Sequence, residues 1–145
     1  GILHFVYLTC SYPGVFTADH FEDVKALNLN PWFEDHMGEA MKPLGVYLNF
    51  FQETLEAGKG RSFRVMMVND LYDAAKGTLR LTLEGEDGRE AAHAASAFEL
   101  APLGTLTRDL ELVVPRAPGR YLLKATAVTE DGSRTISRRK VRVRH

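Results

Sequence analysis

Glu84, Glu86 and Asp87 crowd a turn between Gly85 and Gly88, and carboxylates this close together are the raw material of acid–base chemistry or cation binding. Acidic side chains also favour solvent at turns, where Asp tolerates unusual backbone angles, so the cluster reads as a solvated turn. Asn69, Asp70 and Asp73 in VNDLYD offer oxygens of the kind calcium takes. They lack the Asp-x-Asp-x-Asp-Gly spacing of a dedicated loop and read as a turn at a strand end. His4, His20, His36, His93 and His145 contain no His-x-x-x-His pair, and zinc demands three or four convergent ligands, so no metal site and no cofactor is expected. His36 sits on an apolar helical stripe and reads as a packed histidine, and His145 as a chain end. Neither a nucleophile elbow nor a phosphate-binding glycine loop is present; AGKG at 57–60 reads as a turn. The lone cysteine, Cys10, excludes an internal disulfide and a thiolate metal cluster.

The C-terminal SRTISRRKVRVRH puts Arg138, Lys140, Arg142 and Arg144 at one parity and Val141 and Val143 at the other, which on a strand makes one cationic face. Aromatic residues for stacking bases are missing from it, so nucleic acid is not an expected partner. Cationic side chains blunt exposed sheet edges, and that is the reading taken; contact with an acidic face of another domain is the alternative. A net charge of -1 gives no general pull toward nucleic acid or membrane. The balance is uneven, with three Lys/Arg against eight Asp/Glu in residues 1–60 and fifteen against eleven in 61–145. That asymmetry fits two pieces, 1–42 and 43–145, of different origin.

The elements that must position these side chains follow from periodicity. In TADHFEDVKALNL, Asp19 and Glu22 have capping-box spacing, with Phe21 and Val24 on one face, and predict a short helix. In NPWFEDHMGEAMK, Asn30 is placed to cap, Pro31 suits the first helical position, and Glu34 and Asp35 favour the positive end of the dipole. Trp32, His36 and Ala40 recur every four residues beside Phe33, Met37 and Met41, so the sole tryptophan is expected to anchor this helix. Pro43 ends it.

From Pro43 the period becomes two. Leu44, Val46, Leu48 and Phe50 alternate; so do Phe63, Val65 and Met67, then Leu79, Leu81 and Leu83. Ala-rich REAAHAASAFEL, TLTRDLELVVP, RYLLKATAV and TISRRKVRV complete seven strands, punctuated by Asp87-Gly88, Pro118-Gly119 and Asp131-Gly132. Seven short strands without crossover helices predict an immunoglobulin-like antiparallel β-sandwich, mainly β, preceded by an N-terminal strand and short helical segments. Tyr121, just after Pro118-Gly119, stands where a tyrosine corner would, or is a plain core tyrosine.

The opening GILHFVYLTCSYPG carries Ile2, Leu3, Phe5, Val6, Tyr7 and Leu8 with only His4 between them. A membrane span needs about 20 apolar residues, and a secretory signal needs a basic region before its apolar stretch and small residues at a cleavage site, neither of them visible in these residues, so neither is the expected reading. What remains is a strand buried on both faces, as in a parallel sheet. No second strand of that type follows, so its cover is expected from the helical link, the sandwich or a second copy in a homodimer.

A terminal barrel-type strand, a helical link, a Lys-Pro pair and a sandwich resemble the later part of glycoside hydrolase family 2 enzymes, the β-galactosidase, β-mannosidase and exo-glucosaminidase group. Gly1, the apolar strand and Tyr12-Pro13 match the end of that family's last barrel strand, although its tryptophan and Asn-Asp pair are absent, with Thr9 and Cys10 near that place. Lys42, Pro43 and Tyr47 in MKPLGVYLNFF match the entry into the following sandwich. The resemblance implies an accessory piece of a carbohydrate-active hydrolase that braces the catalytic barrel. The paired glutamates that retaining glycosidases need would lie on earlier barrel strands, so no catalytic residue is expected in this chain. His4, Thr9 and Tyr12, near the strand's carboxyl end, would line the parent's sugar pocket. The partners so implied are the rest of the hydrolase and its carbohydrate substrate, with no membrane. The competing reading is a stand-alone immunoglobulin-like module that binds a glycan or a protein.

Overall fold

The structure, a computed structural model, describes residues 20–23 and 25–145. The expected first strand, with His4, Thr9 and Tyr12 and the homodimer contact assigned to it, lies outside the described residues. The chain divides into two units at the Met41–Lys42 junction.

In the first unit, β1 (Phe21–Asp23) and β2 (Asn28–Leu29) pair antiparallel where a helix is expected. Asp23 explains the difference. Its Oδ1 accepts from the backbone N–H of Lys25 (2.9 Å) and of Ala26 (3.1 Å), and Leu27 takes a φ of 58°. A carboxylate that satisfies nearby amides competes directly with the helix ladder. Helix α1 (Pro31–Ala40) follows its sequence signals: the Asn30 side chain accepts from Trp32 N–H at 2.9 Å and Pro31 opens the first turn. The expected burial of its stripe does not occur. No α1 residue is buried and Trp32 is 68% exposed. His36 is likewise exposed rather than packed, its Nδ1 2.9 Å from Trp32 O. Periodicity fixes which side chains share a face, not whether anything covers that face.

The second unit is mainly β and forms a sandwich of two sheets. One has the order β4 (Thr54–Glu56), β10 (Arg134–Arg144), β9 (Gly119–Thr129), β6 (Ala75–Gly85), β7 (Glu90–Leu100); the other is β3 (Leu44–Asn49), β5 (Gly60–Asn69), β8 (Thr105–Val113). All seven expected strands form, and β4 is an eighth. It pairs parallel to β10 through Arg142–Arg144, a departure from a purely antiparallel sandwich, and at three residues it is too short to show a period.

The inward parities supply the core. Leu48, Val65, Met67, Leu79, Leu81, Leu83, Leu123, Ala125 and Ala127 have no exposed surface and Phe63 almost none; each large apolar side chain so buried contributes roughly 1.5–3 kcal/mol. The hairpins close where the Asp-Gly pairs predict. Gly88 and Gly132 take φ of 74° and 85°, the left-handed region that glycine enters without steric cost. Asp87 and Asp131 each accept a backbone N–H two residues on. Tyr121 makes the corner bond, its hydroxyl donating to Ala117 O at 2.9 Å.

A seam of side chains joins the two sheets at β3 and β10. Leu48 N–H donates to Ser137 Oγ at 3.1 Å, and the Arg139 guanidinium donates to Phe50 O (3.2 Å), Leu48 O (3.1 Å) and Arg138 O (2.8 Å). Ser137 and Arg139 share the inward parity of Thr135, Val141 and Val143, so they are polar residues at core-facing positions that satisfy the β3 backbone. Cationic β10 is therefore not the sheet edge the sequence suggests; it lies between β4 and β9.

Candidate functional site

At the far end of β3 the outward parity carries Tyr47, Asn49 and, just beyond the strand, Phe51. Tyr47 is 42% and Phe51 71% exposed, their ring centroids 6.4 Å apart. Arg139 reaches both, its guanidinium carbon 5.9 Å from the Tyr47 ring centroid and 5.5 Å from that of Phe51. Because three carbonyls already hold Arg139, the rings rest against a fixed cation, a favourable arrangement with the ring faces.

Sheet register sets a polar row beside the rings. Asn49 is opposite Arg64, and Arg64 opposite Asp109. Arg64 and Asp109 form a two-bond fork, Nε to Oδ1 at 2.9 Å and Nη2 to Oδ2 at 3.0 Å. The hydrogen bond from Arg64 and its positive charge hold the Asp109 carboxyl below the usual range and push the guanidinium up. Next to them Arg61 donates to Gln52 Oε1 and lies 5.6 Å from the Phe50 ring centroid. Phe51, Asn49, Gln52, Arg61, Arg64 and Asp109 border an open groove of about 490 Å³.

A larger groove of about 810 Å³ lies on the other sheet, bordered by Glu53, Glu84, Arg120, Tyr121, Lys140 and Arg142. Arg120 and Arg142 are register partners, as are Lys124 and Arg138. Glu84 belongs here and not to a solvated turn: it is part-buried, paired with Lys124 and accepting from Thr82 Oγ1 at 3.1 Å. Strand β6 runs on through Glu84 to Gly85 with its β9 register unbroken, Glu84 opposite Leu122 and Gly85 opposite Tyr121, so Glu84 stands on the sheet before the turn begins. Glu86 and Asp87 stay exposed.

Asn69 is fully buried. Its amide donates to Asp73 O (2.8 Å) and Ala101 O (3.1 Å) and its oxygen accepts from Leu71 N–H (3.2 Å). These bonds occupy the side chain with holding two loops together, the strand-end role. His93 lies 2.6 Å from Glu90, and His20 stacks on Phe33 at 4.1 Å; among the described residues the histidines form no cluster with other ligand-type side chains. Among the described residues no group of three His, Cys, Asp or Glu side chains could hold a metal. The ring-and-fork groove is absent from the sequence reading, although its signal is there. Tyr47, Asn49 and Phe51 fall at the parity opposite Leu44, Val46, Leu48 and Phe50, and Arg139 falls at the parity of Val141.

The described fold thus defines a β-sandwich module whose surface carries an aromatic groove and a second groove of mixed charge. No family model matches the chain, and no curated protein matches it. Among solved structures it is similar to a β-glucosidase from Listeria innocua in complex with gluconolactone, with a TM-score of 0.55 and 16% identity over 70% of this chain and 16% of that one. It is also similar to the Pseudomonas fluorescens alkylpurine DNA glycosylase AlkC bound to DNA containing an abasic site analog, with a TM-score of 0.52 and 13% identity over 77% of this chain and 33% of that one. At these identities the likeness is one of fold. The chain spans a third or less of either protein's length.

Proposed function

We propose that the sandwich is a non-catalytic accessory module of a larger carbohydrate-active hydrolase of the family 2 type, bracing its catalytic barrel. The observation that carries this reading is an apolar apex at the end of the sandwich where β5 meets its following loop. Leu71, Tyr72 and Leu103 are 46%, 84% and 60% exposed there, and grouped exposed apolar side chains mark contact surfaces. The apex is stiff. Leu103 N–H donates to Leu71 O at 3.0 Å, Asn69 binds both loops from beneath, and Leu103 holds a φ of 52°. A β-branched or bulky residue at positive φ is uncommon and points to a functional constraint. The Lys42-Pro43-Tyr47 resemblance and the fold likeness to a β-glucosidase support the carbohydrate link. Partners in this reading are the barrel and, through it, its sugar substrate, with His4, Thr9 and Tyr12 contributing to the pocket of the parent.

The test is expression of the reading frame extended upstream of Gly1, beside the 145-residue chain, each assayed on aryl β-galactosides, β-mannosides and β-glucosaminides. The expected result is turnover by the long chain only. It should fall, together with the long chain's melting temperature, when Leu71, Tyr72 and Leu103 are all replaced by Ser. Turnover by the 145-residue chain, or a triple variant that melts and works like the parent, overturns the reading. Nucleic acid is not a partner in it: tight duplex-DNA binding that weakens steeply with salt and is lost on replacing Arg120 and Arg142 would contradict it.

A further inference from the structure

We propose that the groove beside Tyr47 and Phe51 is a binding site for a neutral pyranose oligosaccharide. This goes beyond the bracing role and stands on the groove's own geometry. An all-equatorial pyranose presents flat C–H faces and a rim of neighbouring hydroxyls; the first suits an aromatic ring and the second suits planar groups that donate and accept in pairs. Both are present side by side. Phe51 is 71% exposed and Tyr47 42%, and Arg139 holds the two rings from behind at 5.5 and 5.9 Å while anchored to carbonyls at 2.8 to 3.2 Å. Such fixed rings lose little conformational freedom on binding.

The polar side of the groove is a register row, Asn49–Arg64–Asp109. Arg64 spends Nε and Nη2 on Asp109, so its guanidinium is held in a fixed plane at the border of the groove with Nη1 outside the fork, and each Asp109 oxygen retains acceptor capacity. The fork also cancels its own charge. The row therefore offers directed hydrogen bonds to hydroxyls without adding net charge. With Arg61 beside it left as the one cation of the described lining, what selects a neutral sugar is the exposed ring next to the fork and not an absence of positive charge. About 490 Å³ lies within the roughly 300–1,000 Å³ of small-ligand sites and is too small to seat a protein domain.

The test uses the 145-residue chain, ¹⁵N-labelled and titrated with cellotetraose and laminaritetraose, and separately with tetragalacturonate, by amide chemical-shift mapping. The expected result is saturable shifts at Asn49, Phe51, Arg64 and Asp109 with at least one neutral tetramer. Phe51→Ala should weaken that binding at least about tenfold, or about 1.4 kcal/mol, with a spectrum otherwise as dispersed as wild type. Arg64→Lys, which keeps the charge and loses the fork, should weaken it by a similar factor, and Val128→Ala, on the other sheet, should leave it unchanged. No shifts with either neutral tetramer overturns the proposal. So does binding that maps elsewhere, binding unaffected by Phe51→Ala, or binding of tetragalacturonate alone.

Discussion

Replacing Asn69 with Ala tests whether one buried carboxamide holds the apex together. The side chain has no exposed surface and makes three hydrogen bonds, to Asp73 O, Ala101 O and Leu71 N–H. At about 1 kcal/mol net for each bond, with a further contribution from the cavity left behind, the loss comes to about 3–4 kcal/mol. For a domain of this size each kcal/mol lowers the melting temperature by about 4–8 °C, so the expected drop is roughly 12–32 °C. Thermal melts measure that drop, and urea denaturation of both proteins followed by far-ultraviolet circular dichroism measures the loss in kcal/mol, with an unchanged slope confirming that only the native state has been weakened. A loss below about 1 kcal/mol, the value of a single bond, would refute the claim that this residue clamps both loops. Asn69→Asp sharpens the test. It keeps an acceptor for Leu71 N–H but turns a second oxygen toward the carbonyls of Asp73 and Ala101, so the protonated carboxyl is favoured in the native state and its pKa is raised by folding. The variant's stability is then fully present at low pH and falls as pH rises through that raised value, whereas acid weakens the wild type.

That acid response comes from three carboxylates held below their usual range: Asp109 by the hydrogen bond from Arg64, Glu90 by that from Arg80, and Asp131 by those from Thr129 and Ser133. The native state binds their protons less tightly than the unfolded chain, so their stabilisation is intact above the ordinary carboxylate range and is lost as pH falls through that range to the lowered native values. Thermal melts across that window check it, and an Asp109→Asn variant with the same acid slope as wild type would remove Asp109 from the account. Gly77→Ala places a Cβ 2.0 Å from Val128 O and 2.8 Å from Thr129 Cα, both backbone atoms, so β6 and β9 must separate. The expected loss is about 1–3 kcal/mol or more, read as faster amide exchange along that strand pair. Tyr121→Phe deletes the bond to Ala117 O and should cost about 1 kcal/mol; an unchanged denaturation midpoint would reduce the corner to ordinary packing.

Strand positions were legible because a period of two depends only on which side of a strand faces the core, and Leu79, Leu81 and Leu83 are all fully buried. The turn chemistry at Asp87-Gly88 and Asp131-Gly132 was legible for the same local reason. What failed were inferences that need a partner. The α1 stripe of Trp32 and His36 is real as a stripe, yet no α1 residue is buried, because a helical period fixes which side chains share a face and not how deeply that face is covered. The Asp19–Glu22 spacing predicted a helix, but Asp23 satisfies the amides of Lys25 and Ala26, and that local bond turns the chain into a hairpin. Glu84 keeps the parity of Thr82 as the last carboxylate of β6, and its nearness in sequence to Glu86 and Asp87 hides the partner it has across the sheet, Lys124.

The groove escaped for a more instructive reason. Its parts lie at residues 47–52, 61–64, 109 and 139, and only strand pairing brings them together: Asn49 meets Arg64, Arg64 meets Asp109, and Arg139 crosses from the other sheet. Each signal taken alone is ordinary. Tyr47 and Phe51 look like strand aromatics, and Arg139 looks like one more cation in a basic run. Their meaning comes from parity, since Arg139 sits where Thr135 and Val141 turn inward. A charged side chain at a core-facing position must be paired or bonded, and here its bonds go to Leu48 O and Phe50 O. The same guanidinium that satisfies the open flank of β3 therefore fixes the two rings on its outer side. A change that loosens the seam must also loosen the groove, which couples the stability of the sandwich to whatever those rings contact.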